Sequence, residues 1–380
     1  MLVKHLRLRD FRNYVELTMA PGPGLNILVG ANAQGKSNLL EALYALATTR
    51  SLRASRESDL VRRSAESASV WAEVARESGG DATLDLSVFL TDRKAARVNG
   101  ARRARVLDLL GEINAIFFGA LDLSIVSGEP AVRRRYLNVE ISQISPKYCF
   151  DYAAYRKALD QRNRLLRDLR DRPCHASGLE AWDEQLVRRG APVLERRRRY
   201  VDRLAPMAAR VHSDLTDGAE ALEVRYVANP PLAEERSVAG IEELLRGHVA
   251  RVGPEEQRRG TTLVGPQRDD LLFLIDGLDA RVYGSQGQQR TAVLSLRLAE
   301  YLLIEEDAGE PPIMLLDDVM SDLDDRRRGH LMEWMHRRCQ TFVTCTNLRA
   351  FSPEVLAEAF VWQVEDGAVA RIAAAADVGL

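Results

Sequence analysis

A chain of 380 residues, 46% apolar and 28% charged, has length for two domains and apolar content for a sizeable core. No run approaches the ~18 apolar residues of a membrane helix, and the N-terminal MLVKHLRLRDF alternates apolar with polar instead of forming a signal-peptide core. The four cysteines (Cys149, Cys174, Cys339, Cys345) make no CxxC pair or His-linked metal spacing, so a reduced cytoplasmic protein with no membrane partner is expected rather than a disulfide scaffold. The net charge of −2 conceals an asymmetry: Arg133 to Arg210 holds 19 basic and 10 acidic residues, which suits either a polyanion partner or a solvated helical face.

In chain order, Leu2 to Leu8 and Val15 to Met19 alternate as strands do. Leu25 to Val29 is a short apolar run ending at Gly30, the pattern of a buried strand. Lys36 to Thr48 reads as a helix, with Leu39, Leu40, Leu43, Leu46 and Ala47 apolar. Val70–Val74 and Leu84–Leu90 are strands, Val98-Asn99-Gly100 marks a turn, and Ile113–Phe118 is a further buried strand. From near Leu121 to about Leu215 the pattern is helical and strongly charged, broken by Pro, Ser and Gly between Asp171 and Gly178. Its first long helix, Pro146–Arg170, would span ~37 Å, an arm rather than a long coiled coil. Leu222–Val227 and Leu271–Ile275 return to strand pattern, and the last third alternates strand and helix. The expected fold is α/β: a split domain with a mixed sheet, made of residues 1–120 and 260–380, and a mainly helical domain with a short arm inserted at 121–259.

Gly30-Ala31-Asn32-Ala33-Gln34-Gly35-Lys36-Ser37 matches G-x-x-x-x-G-K-[ST], after a strand and before a helix. Glycines let backbone amides close round phosphate oxygens, and the helix N-terminus adds partial positive charge. Lys36 would pair with the β- and γ-phosphates of ATP, the Ser37 hydroxyl would ligate Mg²⁺, and Asn38 continues the loop. A fortuitous match arises in roughly 0.2% of such sequences. Ile313 to Leu316 supplies an apolar strand ending in two acids: Asp317 is expected to hold Mg²⁺ and Asp318 to orient or deprotonate the attacking water.

Two more segments narrow the class. Ser285-Gln286-Gly287-Gln288-Gln289-Arg290 opens a long amphipathic helix just before the Asp317 strand, and Ser321-Asp322-Leu323-Asp324 follows that strand. A helix tip bearing a Ser hydroxyl and a Gly amide is an anion site. A Ser285 that merely caps its helix explains the serine, but neither Gly287 nor the placement. This order of motifs resembles ABC ATPases. The resemblance implies that Ser285, Gly287 and Gln288 of one subunit cap the γ-phosphate held on a second copy, and that Lys36, Asp317, Asp318, Ser285 and Gly287 carry catalysis.

The chain further resembles the RecF family of recombination-repair ATPases, and more distantly the heads of SMC-type proteins. The similarity is carried by Leu8-Arg9-Asp10-Phe11-Arg12-Asn13-Tyr14, the GANAQGKSN loop, Gly128-Glu129-Pro130 with Arg133 to Leu137, Gly265-Pro266-Gln267-Arg268-Asp269-Asp270, Ser285–Arg290 and Leu315–Asp324. It implies that Arg12 and Asn13 lie near the nucleotide. It also implies an ATP-dependent homodimer that binds DNA and acts with RecR and RecO to place RecA at gaps and single-strand–duplex junctions. Departures are visible. Phe118-Gly119-Ala120-Leu121-Asp122 replaces the family's F-x-P-E-D-L, Ser51-Leu52-Arg53 lacks a His, and Gln267 stands where His is usual. Thr344-Cys345-Thr346 holds the place of the switch histidine of ABC transporters. With Asp at 318 rather than Glu, slow hydrolysis is expected.

A transporter ATPase would carry its signature much closer to the P-loop, and a nucleotide kinase leaves Ser285 and Ser321 unexplained. A DNA-binding scaffold that holds ATP without turnover is separated by Asp318→Asn. For DNA, Arg133–Arg135 and Arg196–Arg199 are the candidate contacts; consecutive helical residues point around the axis, so at most two of the latter share a groove. No base-reading module appears. Backbone binding to duplex, salt-sensitive and nearly sequence-independent, is expected.

Overall fold

The computed structural model describes residues 1–54, 56–77, 80–171, 178–322, 325–335 and 338–372. They divide into two units, Met1–Leu123 with Leu296–Leu380, and Ser124–Ser295.

The first unit opens with β1 (Leu2–Phe11), β2 (Tyr14–Met19), β3 (Leu25–Val29) and α1 (Lys36–Thr48), followed by β4 (Ser67–Ala75), β5 (Ala82–Phe89), β6 (Lys94–Val98), β7 (Ala101–Arg102) and β8 (Ala115–Gly119). A short α2 (Leu123–Ser127) leads into the second unit, which holds α3 (Pro130–Ile144), α4 (Pro146–Asp171), α5 (Leu179–Thr216), β9 (Leu222–Val227), α6 (Val238–Arg259), β10 (Asp270–Ile275), β11 (Leu278–Asp279) and the start of α7 (Gln286–Ala308). The chain then completes the first unit with β12 (Ile313–Asp317), α8 (Val319–Asp322), α9 (Asp325–Met335), β13 (Thr341–Cys345), α10 (Pro353–Glu358), β14 (Phe360–Glu365) and β15 (Ala368–Arg371).

The first unit contains two sheets. One is wholly antiparallel, in the order β2-β1-β4-β5-β6-β7; the other runs β15-β14-β3-β13-β12-β8 and is parallel except for β15 at its edge. Composition explains the difference. β4 and β5 alternate half-buried with buried residues, so one face meets the core and the other meets solvent. β8 and β12 are near-continuous apolar runs, as suits strands covered on both faces, and β13 is buried throughout although it carries two threonines. Helix α1 packs against β8, β12 and β13 on one side and β4 and β5 on the other, with Leu39, Leu40, Leu43 and Leu46 fully buried.

In the second unit α4 packs along α5, a helix of 38 residues that spans ~57 Å. The segment from 260 to 295 had been expected in the ATPase head. It packs in the second unit instead, because β10 pairs antiparallel with β9 from Asp270↔Val227 to Ile275↔Leu222. Helix α6 has no counterpart in the sequence reading. Only Ile241, Leu245, Val249 and Glu256 of it are buried, and Gly247, Gly253 and Pro254 blur its period.

Part of the two basic runs expected to meet DNA is structural, while Arg135 and Arg199 stay exposed. Arg133 is 3% exposed and forks onto the Asp270 carboxylate, while Arg134 donates to the Asp269 carbonyl. Arg197 is fully buried: it donates to Asp269 Oδ2 at 2.8 Å, Asn138 Oδ1 at 2.7 Å and the Tyr148 hydroxyl at 2.9 Å. Asp269 also accepts from the Asn229 N–H and the Tyr226 hydroxyl. Arg162 is likewise buried, on Glu256, Asp183 and Thr262. A guanidinium is retained in a core only where carboxylates and further acceptors satisfy it, and both sites meet that condition.

Candidate functional site

The loop from Gly30 to Gly35 joins β3 to α1. Gly35 has φ +116 and Ala33 φ +66, left-handed geometry that folds the chain back toward the helix tip. Two hairpins clasp the loop. From β1–β2, Asn13 Nδ2 donates to the Gln34 carbonyl at 3.0 Å and the Tyr14 hydroxyl to the Gly35 carbonyl at 3.0 Å. From β14–β15, the Asp366 N–H donates to Gln34 Oε1 at 2.7 Å and the Gly367 N–H to the Gln34 carbonyl at 3.3 Å. A Cβ on Gly35 would stand 2.6 Å from Asn13 Nδ2, and one on Gly30 would stand 2.2 Å from the Val364 carbonyl oxygen. Gly30 is therefore required sterically, against a backbone carbonyl, and Gly35 conformationally, by its left-handed φ. Ala31, Asn32 and Ala33 are left exposed at the loop's crest.

Lys36, 8% exposed, extends back along the loop and donates to the carbonyls of Gly30 at 2.6 Å and Ala31 at 2.8 Å. Burial holds its pKa below the ordinary lysine value, only partly opposed by Cys345 and by the Asp318 and Asp317 carboxylates. The next residue reaches the neighbouring strand: Ser37 Oγ donates to Asp317 Oδ1 at 2.6 Å. Asp317 ends β12, where parallel pairing sets it beside Thr344 of β13 and Gly119 of β8. Thr344, 1% exposed, donates its hydroxyl to Asp317 Oδ1 at 2.9 Å and accepts the Asp318 N–H at 2.9 Å. Asp318 itself sits at φ +55, a left-handed position costly for a residue with a Cβ and of the kind that gathers at working sites. Lys36, Ser37, Asp317 and Asp318 are thus drawn from two segments of the sequence into one site.

Behind the loop lies a network that sequence reading missed. Glu41 on α1 is fully buried, and Arg12 forks onto it with Nε at 2.9 Å and Nη2 at 3.0 Å. Ser51 Oγ donates to the same carboxylate, and Arg53 stands 3.7 Å from it. Burial alone would raise the Glu41 pKa; the hydrogen bonds from Arg12 and Ser51 and the two positive charges hold it below the ordinary carboxylate value. The network returns to the loop through Asn38, whose Nδ2 donates to Asn13 Oδ1 at 2.8 Å and whose Oδ1 accepts from Arg53 at 3.3 Å. Asn13 therefore lies against the loop, while the guanidinium of Arg12 is committed to Glu41. The signal available in sequence was an acid among the apolar residues of a helix, with Arg12 carried toward it in the turn that joins β1 to β2.

Ser285 caps α7. Its Oγ accepts from the Gln288 N–H at 3.2 Å and its own N–H donates to Gln288 Oε1 at 2.9 Å, a reciprocal capping box. Gln289 ties the tip to the Ala280 carbonyl at 2.8 Å. Ser285 and Gln286 remain exposed, and a Cβ on Gly287 would meet nothing closer than Ser285 Oγ at 3.9 Å. Packing among the described residues therefore gives no reason for a glycine there. Ser321 and Asp322 fall in α8, directly after the β12 strand; Leu323 and Asp324 lie outside the described residues.

The chain is similar to known proteins along nearly its whole length. The RecF/RecN/SMC N-terminal domain family matches residues 2–361. The DNA replication and repair protein RecF of Oceanobacillus iheyensis is 38% identical over 371 residues, covering 97% of this chain and 100% of the relative. That of Symbiobacterium thermophilum is 44% identical over 352 residues, covering 92% of each. Among solved structures, the recombination mediator protein RecF-ATP of the RecFOR pathway superimposes with a TM-score of 0.90 at 33% identity, over 98% of this chain and 97% of that one. An Smc head bound to the C-winged-helix domain of ScpA aligns at TM-score 0.55 and 15% identity over 98% and 97% of the two chains, a likeness of fold alone. With a P-loop, an acid-ended strand beside it and full-length relatives of one kind, the chain belongs to the RecF family, on the ABC-type ATPase fold shared with SMC heads.

Proposed function

We propose that this protein binds ATP with Mg²⁺ at the Gly30–Asn38 loop and, so loaded, forms a homodimer that binds duplex DNA at gaps or single-strand–duplex junctions. There it acts with RecR and RecO in placing RecA, and slow hydrolysis releases it. The observation that carries this reading is the junction of Lys36, Ser37 and Asp317, with Ser37 Oγ only 2.6 Å from Asp317 Oδ1. Two hard oxygens so placed suit Mg²⁺, which takes few protein ligands and leaves the rest to phosphate oxygens and water. Bound there, the ion would neutralise charge on the β- and γ-phosphates. Lys36, now spending its donors on loop carbonyls, would turn them to the phosphate oxygens. Asn13 and Gln34 hold the loop's shape, and the Ala31, Asn32, Ala33 and Gly35 amides line the phosphate path. Asp318 would orient the water that attacks the γ-phosphorus as ADP leaves.

The exposed tip of α7 supports a nucleotide gripped from two sides. Ser285 and Gly287 offer a hydroxyl and an uncrowded backbone at a helix N-terminus, where an anion is favoured. Another molecule's triphosphate explains the glycine that internal packing does not. Capping and phosphate contact are compatible, since the Ser285 hydroxyl has a proton to donate while its oxygen accepts from Gln288. Light scattering after size exclusion, with and without ATP–Mg²⁺, tests the model: wild type should become dimeric with ATP, and Lys36→Met and Ser285→Arg should stay monomeric. Normal dimerisation of Ser285→Arg would reject the shared site, and failure of wild type to bind ATP at all would reject the whole reading.

A further inference from the structure

The solvent face of the antiparallel sheet carries a pattern that the nucleotide site does not use. Cross-strand register aligns Thr18, Arg7, Trp71, Asp85, Arg97 and Arg102 in one row from β2 to β7. The next row brings Arg9 level with Ser69 and Ser87. Arg7, Arg9, Arg97 and Arg102 are exposed, and among the described residues none of them makes an ion pair. That sets them apart from Arg133, Arg162 and Arg197, each spent on a buried carboxylate. On the same face Glu73 is engaged by His5 at 3.1 Å, leaving Glu16 opposite Arg9, Asp85 opposite Arg97 and Glu66 at the cavity rim against the four arginines and Arg93. The face is therefore basic on a chain whose net charge is −2.

The arginines form two rails. Arg7 and Arg9 stand on β1; Arg97 and Arg102 stand on β6 and β7. Three interstrand steps separate β1 from β6, ~14 Å at ~4.8 Å each. Between the rails lie Ser69, Ser87, Trp71 and Asp85, and a cavity of about 670 Å³ opens beside Asp85, Ser87, Arg97 and Arg102. The separation is close to the ~12 Å width of a B-DNA major groove. Rails at that spacing meet phosphates on both borders of a groove, and Asp85 then faces the groove instead of a phosphate. A single strand fits worse: the guanidinium of Arg7 already lies over the Trp71 ring, 4.7 Å from its centroid, and occupies the face on which an unpaired base would stack.

We propose that this sheet face is a docking surface for the sugar-phosphate backbone of duplex DNA, held by Arg7 and Arg9 on one side of a groove and Arg97 and Arg102 on the other. The assignment rests on the DNA-binding reading above and adds its location. The test is fluorescence anisotropy of the full chain with a labelled duplex of about 30 base pairs, in ATP–Mg²⁺, between 50 and 200 mM salt. Arg7→Gln with Arg97→Gln removes two phosphate contacts, so the slope of log affinity against log salt should shrink by ~2. Affinity at the lowest salt should fall at least tenfold, while ATP binding, measured separately, stays at the wild-type level. An unchanged slope and affinity in the double variant would overturn the proposal, as would a loss confined to single-stranded DNA. Wild type that binds ATP but no DNA would instead remove the DNA-binding reading itself, an outcome read without any variant.

Discussion

Thr344 Oγ1 is a single atom with two duties at the centre of the site, donating to the Asp317 carboxylate and accepting the Asp318 N–H. Thr344→Val keeps the shape and loses both bonds, leaving a buried N–H without an acceptor at a cost of about 1–3 kcal/mol. Because Asp318 is held at φ +55, the lost anchor should be felt as misplacement of its carboxylate more than as loss of nucleotide affinity. We expect the ATPase kcat of Thr344→Val to fall at least tenfold with ATP affinity within a few-fold of wild type, and Thr344→Ser to retain most of the rate. Steady-state kinetics and an ATP titration check this; equal losses in both would make Thr344 a merely structural residue. At this scale Lys36, Ser37 and Asp317 were legible because their chemistry depends on local spacing. Glu41 was not, since an acid on α1 reads as solvated until the β1–β2 turn delivers Arg12 to it across 29 positions of sequence.

Among the elements, strand identity was readable where burial leaves a composition. The apolar runs of β3, β8 and β12 mark strands covered on two faces, and the alternation of β4 and β5 marks strands covered on one, whereas β13, with two threonines in five residues, was not singled out. Helix α5 shows what periodicity cannot decide. Its four consecutive arginines are equivalent in sequence, yet Arg197 turns inward to Asp269 and Arg199 outward to solvent. Arg197→Ala leaves Asp269 buried with its positive partner gone and should destabilise the second unit by about 3–5 kcal/mol, read from urea unfolding. Arg199→Ala should change stability by no more than about 0.5 kcal/mol. Comparable losses for the two would mean that the buried network carries no special weight. The same geometry withdraws Arg133 and Arg197 from any DNA surface and leaves the sheet face as the stronger candidate.

For the molecule as a whole, nucleotide state is expected to set assembly, and hydrolysis to reset it slowly. Asp318 is one methylene shorter than glutamate, and no imidazole occupies positions 344 to 346. Turnover with duplex present should therefore stay below about 10 s⁻¹, the median for enzymes. Asp318→Asn should abolish hydrolysis while the ATP-dependent dimer persists; phosphate release and light scattering measure the two, and an undiminished rate would dismiss Asp318 as the water-orienting group. What the amino-acid order carried by itself was the phosphate loop and the acid-ended strand, because each is written in a short segment whose spacing is the chemistry, while the ATPase class and the family came from the resemblance of those and further motifs to known proteins. Only the tertiary structure decided that residues 260–295 join the second unit, that Thr344 clamps two acids, that Glu41 is buried against Arg12, and which arginines are free to meet an anion. Those outcomes depend on strand pairing and burial between segments tens to hundreds of residues apart, where local pattern carries no information about the partner.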